Sequence, residues 1–186
     1  LDAYRPTLLV SGGSQGAVAI NEAVIVARER LLADGVQILH VLGPKNIQGA
    51  TAVTDESTGA SWLPVGYVDD MASAYAAADL MMARSGAGTV VETATVGLPT
   101  IYVPLPHGNG EQARNATLAV DAGAGVVVAN ADLDAERLLA ETSRIHDTDA
   151  LARMSAAGRG LMPAHAAEEM AVRVILAARS IGPTTV

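Results

Sequence analysis

RSGAGTVVETATVGLPTIYVPLPHGNGEQARNA, residues 84–116, carries the pattern that decides the fold. Residues 89–96 predict a helix that Gly97 and Pro99 stop, and residues 100–103 are a short apolar run rich in β-formers. A second helix is expected over 112–121. Each helix is entered through a glycine-bearing turn, Ser85-Gly86-Ala87-Gly88 before the first and Gly108-Asn109-Gly110 before the second. Residues 80–83, just upstream, read as another apolar strand. The unit strand, glycine turn, helix is therefore written twice in a row.

The same rhythm extends outward. Residues 7–11 form a strand running into Gly12-Gly13, and residues 15–33 a helix whose apolar face includes Val18, Ala19, Val24, Ala27, Leu31 and Leu32. Strands follow at 36–42 and 62–67, separated by a polar connection over 43–60 expected to be mobile. A short Ala-rich helix spans 70–78 and a last strand 125–129, with helices at about 134–142, 149–158 and 166–179 and a tail at 181–186 expected to fray. Short apolar strands alternating with helices predict a parallel sheet covered on both faces. The expected fold is thus a doubly wound, Rossmann-like α/β domain of about six strands, with residues 1–186 forming one unit. In such sheets ligands bind outside the carboxyl ends of the strands. The glycine clusters at 12–13, 66, 86–88 and 108–110 all lie just after strands, so one rim collects them.

Composition narrows the function classes. Half the residues are hydrophobic, yet aromatics are 3% and Phe is absent, so the core is built from small aliphatic side chains. A net charge of −8 without a basic run argues against nucleic-acid binding, and an anion would need local backbone donors to hold it. There is no cysteine for thiolate chemistry and no run of about 18 apolar residues to span a bilayer. The chain begins at Leu1 with a strand pattern and no leader, and reads as a piece of a longer polypeptide.

The rim offers three chemistries. The turn at 85–89 leads into a helix whose free N–H groups suit a phosphate, and Glu92 stands four residues after Gly88, about 6 Å along the axis. A carboxylate there can accept from both hydroxyls of a ribose diol. Thr89-Val90-Val91-Glu92 also fits a capping box, which would be purely structural. Gly12-Gly13-Ser14-Gln15-Gly16 fits a nucleophile elbow, making a serine hydrolase using Ser14 a rival, although no upstream strand supplies an oxyanion loop. A nicotinamide dinucleotide fold is weaker, because 40–43 lacks the acidic residue that binds the adenosine ribose. Asp69-Asp70 is expected to cap the short helix, His40 to pack in the core, and Arg84 to pair with a carboxylate or a strand end. The four histidines have no metal-ligand spacing.

Taken in order, GGSQGAVAIN (12–21), YVDDMASAYAAADL (67–80), RSGAGTVVE (84–92), GLPTIYVPLPHG (97–108) and EQARNA (111–116) resemble the MurG family. These are bacterial N-acetylglucosaminyltransferases that convert lipid I to lipid II in peptidoglycan synthesis. The resemblance runs over about residues 8–178 and covers only the second of the two Rossmann-like domains of that GT-B fold.

It implies a hexosyltransferase, in its full-length form, whose partners are UDP-N-acetylglucosamine and, through a missing N-terminal domain, lipid I and the cytoplasmic face of the cell membrane. It further implies that Ser14 contacts the diphosphate, the backbone at Val68 pairs with uracil, and Ala87, Gly88 and Thr89 present N–H groups to phosphate. Glu92 would take the ribose hydroxyls and Gln112 the sugar, with Gly13, Asn21 and Glu111 as secondary candidates. Glu111 departs from the Gln-Gln pair of many relatives, which leaves its role open. The resemblance implies no cofactor, no metal and no catalytic residue within this chain. The runner-up is another UDP-sugar transferase or epimerase of the same architecture.

Overall fold

In the computed structural model, residues 1–13, 17–107, 109–162 and 165–180 are described. The strands are β1 (Thr7–Ser11), β2 (Gln37–Val41), β3 (Val53–Thr54), β4 (Ser61–Val65), β5 (Leu80–Ala83), β6 (Thr100–Tyr102) and β7 (Gly125–Val127). The helices are α1 (Val18–Ala33), α2 (Met71–Ala76), α3 (Ala87–Val96), α4 (Glu111–Asp121), α5 (Ala135–Thr142), α6 (Thr148–Gly158) and α7 (Ala166–Ser180). One sheet holds all seven strands, in the order β3-β4-β2-β1-β5-β6-β7. Every pairing is parallel except that of β3 with β4.

Without β3, this is the doubly wound order 3-2-1-4-5-6. The expectation of about six strands missed β3 inside the 43–60 connection. Its two residues carry no periodic signal. They pair with Ser61 and Trp62 through a turn in which the Asp55 carboxylate accepts from the N–H groups of Ser57 and Thr58. The expected tail at 181–186 lies outside the described residues.

Alternation along the strands builds both faces. Leu8, Val10, Leu80, Met82 and Ile101 pack on one side with Ile20 and Val24 of α1 and Leu138 of α5. Leu9, Met81 and Ala83 face the other way, towards Ala74 and Tyr75 of α2. There Tyr102 joins Val90 of α3 and Ala116 and Ala119 of α4. The Tyr102 hydroxyl, fully buried, lies 2.9 Å from the Thr93 hydroxyl. α3 ends as expected: Gly97 caps it with φ +72, a left-handed conformation that glycine adopts without a Cβ penalty.

His40 is fully buried, as its place in a strand suggested. Trp62 Nε1–H donates to His40 Nδ1 at 3.3 Å, so the ring proton sits on Nε2 and meets Asn21 Oδ1 at 3.1 Å. Asn21 Nδ2 in turn donates to the Leu42 carbonyl at 3.0 Å. This chain of bonds joins α1, β2 and β4. Among the described residues no helix is long and apolar enough to cross a membrane.

Candidate functional site

The order of strands puts the topological switch between β1 and β5, where connections leave in opposite directions. Gly12 and Gly13 follow β1, and Arg84, Ser85 and Gly86 follow β5, so the two glycine turns face each other across this crevice. Two cavities open there. The smaller, of about 200 Å3, is bordered by Gly66, Tyr67, Val68, Tyr75 and Glu92. The larger, of about 690 Å3, is bordered by Val18, Glu22, Arg84, Leu105, His107 and Gln112. Gly13 and Thr89 belong to the walls of both, so the cavities meet at the start of α3.

α3 begins at Ala87, two residues earlier than the sequence pattern suggests. Its N-cap is Gly86, in extended conformation (φ −61, ψ 150), with no side-chain cap. Ala87, Gly88 and Thr89 are therefore the first three helical residues, whose N–H groups have no partner within the helix. The first closing bond is Val90 N–H to the Gly86 carbonyl at 3.1 Å. The capping-box expectation is thereby corrected. Thr89 stands inside the helix and cannot be its N-cap, and the Glu92 carboxylate accepts instead from the Tyr75 hydroxyl at 2.6 Å. Glu92 is exposed, and its Oε1 lies 3.8 Å from where a Cβ on Gly88 would stand.

The N-terminal ends of α1 and α4 reach the larger cavity as well, through Val18 and Gln112. Three positive helix ends around one hollow give an acidic chain a local anion site. Gln112 uses its side-chain oxygen to accept from the Leu105 N–H at 3.0 Å, which fixes the loop after β6 and leaves its amide NH2 to donate. Glu111 is exposed in the first turn of α4. Arg84 pairs with a strand end, as expected, donating to the carbonyls of Val103 and Pro104 at 3.0 and 3.1 Å. Burial lowers the pKa of its guanidinium. Asp70 caps α2 by accepting from the Ser73 N–H at 3.0 Å.

Val68, Ala87, Gly88, Thr89, Glu92, Gln112 and Gly13 are thus gathered at one rim. Ser14 and Gly108 lie outside the described residues. Asn21 is the exception among the candidates: it is 6% exposed, and both ends of its amide are used inside the core. The resemblance offered Asn21 only as a supporting residue, and the register of α1 turns its side chain towards β2. Sequence reading also missed His107, Glu22 and Asn130, which border the larger cavity without any local motif to mark them. The Asn130 side-chain oxygen is buried with no hydrogen-bond partner.

Replacing Gly88 by alanine tests how close a ligand approaches. The added methyl meets only Glu92 Oε1, at an ordinary contact distance, so the fold accepts it. Helix stability should rise by about 0.5–1 kcal/mol while affinity for pyrophosphate falls, because the methyl stands between the amides and the carboxylate. Thermal melts and calorimetry read the two opposite signs, and unchanged affinity would place the ligand elsewhere.

The fold and the rim define a doubly wound α/β domain with a cleft at its strand ends, and comparison with known proteins gives its family. The glycosyltransferase family 28 C-terminal domain matches residues 7–171, and the chain belongs to that family. It is 89% identical over 184 residues to the UDP-N-acetylglucosamine–N-acetylmuramyl-(pentapeptide) pyrophosphoryl-undecaprenol N-acetylglucosamine transferase of Cutibacterium acnes, covering 99% of this chain and 50% of that protein. The protein of the same name from a Nocardioides species is 48% identical over 177 residues, covering 95% and 48%. Among solved structures, Acinetobacter baumannii MurG superposes with a TM-score of 0.79 at 27% identity, over 91% of this chain and 52% of that one. The chain therefore spans about half the length of the curated relatives it matches. A glycosyltransferase family sets aside the hydrolase and dinucleotide readings.

Proposed function

We propose that this chain is the donor-binding half of a UDP-N-acetylglucosamine-dependent transferase that adds N-acetylglucosamine to lipid I, with residues 1–186 forming the C-terminal of two domains. The observation that carries the reading is the meeting of two cavities at the free N–H groups of α3, with an exposed carboxylate one turn further on. Uracil fits the smaller cavity against the backbone at Val68, and the ribose diol reaches Glu92. The diphosphate lies on the amides of Ala87, Gly88 and Thr89 opposite Gly13. The sugar then enters the larger cavity, where the Gln112 amide donates to it.

In the whole enzyme, the lipid I hydroxyl attacks the anomeric carbon, the bond to the β-phosphate oxygen breaks, and UDP leaves with inversion. The negative charge that builds on the β-phosphate is stabilised by amides already oriented towards it, so little reorganisation is needed at the moment of reaction. The group that removes the acceptor proton, the lipid-binding surface and the contact with the cytoplasmic membrane face belong to the other domain.

Calorimetry on the isolated chain tests this. Saturable UDP binding is expected, tighter for UDP-N-acetylglucosamine than for UDP-glucose, with no lipid II formed. Equal affinity for the two sugars would favour another UDP-sugar transferase or an epimerase. Absence of UDP binding, or lipid II turnover by this chain alone, would overturn the proposal.

A further inference from the structure

We propose that Tyr75 is a positioning residue of the nucleotide site, holding the Glu92 carboxylate in the orientation that receives the ribose diol. The inference rests on the uridine diphosphate reading above. Tyr75 stands on α2 and Glu92 on α3, 17 residues apart, and the phenol donates to Glu92 Oε2 at 2.6 Å. Tyr75 is 8% exposed, so its ring is locked by packing against Leu9, Met81 and Leu98, whereas Glu92 reaches the surface. A buried, rigid donor thus fixes one oxygen of an otherwise free side chain. The other, Oε1, is left on the Gly88 side, where the diphosphate amides begin. Burial and the neighbouring carboxylate push the pKa of the phenol up, so it keeps its proton and remains the donor.

A second feature shows why such a clamp matters. Tyr75 and Glu92 border not only the small cavity but also a groove of about 1000 Å3 between α2, α3 and α6. A carboxylate without the phenol bond is free to turn into that groove. Fixing the rotamer before the ligand arrives removes an ordering cost from binding, which is what preorganisation means for a flexible glutamate.

The test is Tyr75→Phe, which keeps the ring and removes the donor. Calorimetry with UDP should show affinity reduced about tenfold, as for the loss of one hydrogen bond to a charged group. Dideoxyuridine diphosphate, which lacks both ribose hydroxyls, should bind parent and variant alike. In a Glu92→Ala background Tyr75→Phe should add no further loss, because the clamp has nothing left to hold. Equal weakening towards both nucleotides, a loss that persists without Glu92, or unchanged UDP affinity would each overturn the proposal. Glu92→Ala binding UDP as tightly as the parent is a separate result, and it would overturn the site reading itself.

Discussion

Replacing Glu92 by alanine should weaken UDP binding by roughly 1–3 kcal/mol, the cost of removing a charge-assisted acceptor from a pair of ribose hydroxyls. At about 1.4 kcal/mol for each factor of ten, a titration resolves this readily. The sequence alone left a competing account, in which Glu92 serves only its own helix. That account predicts a lower melting point and unchanged affinity. The structure removes its premise, since α3 starts at Ala87 behind Gly86 and draws nothing from the Glu92 side chain. The stability cost of the substitution is therefore limited to the Tyr75 bond. A variant that melts lower but binds UDP normally would show that the carboxylate faces no ligand.

Acidification should destabilise the domain through His40, by about 3 kcal/mol between neutrality and about pH 4. Burial lowers the pKa of this histidine from 6.5 to about 4. In the unfolded chain the imidazole takes up a proton as pH falls through 6.5, while the folded protein refuses it until about 4. The unfolded state binds more protons throughout that window, so stability is present above it and lost as pH falls across it. The geometry gives the reason for the refusal: Nδ1 already accepts from Trp62 Nε1–H, and a proton there would set two donors face to face. Denaturant unfolding at several pH values measures the slope. In His40→Gln this titration is gone, and most of the slope between about pH 5 and neutrality should go with it, whatever the stability at neutrality. The Asp55 and Asp70 carboxylates, held below their ordinary value by hydrogen bonds from Ser57, Thr58 and Ser73, add a slope only towards about pH 4. A slope above about pH 5 that survives the substitution would assign the acid sensitivity to other groups.

Much of the candidate site was legible in the sequence because its parts are local. Gly86 and Gly88 mark a helix start that leaves amides free, and Glu92 is one turn beyond them. Those relations need only helical geometry. Asn21 marks the limit of local reading: nearness to the first glycine turn says nothing about which face of α1 it occupies, and the packing of α1 on β2 turns it inward. Tyr75 and Arg84 could not be assigned to the rim, because each bonds to groups distant in the chain, and His107 borders the cavity with no local motif to mark it.

Apolar runs of strand length alternating with amphipathic helices, punctuated by glycine, were enough by themselves to determine a doubly wound sheet with its glycine turns at the strand ends. Periodicity is a property of neighbours in the chain, and it survives without coordinates. Strand order, the β3 edge, the Tyr75–Glu92 bond and the Trp62–His40–Asn21 chain were decided only by tertiary structure. Each depends on which residues far apart in sequence are packed together, and no local pattern encodes that distance.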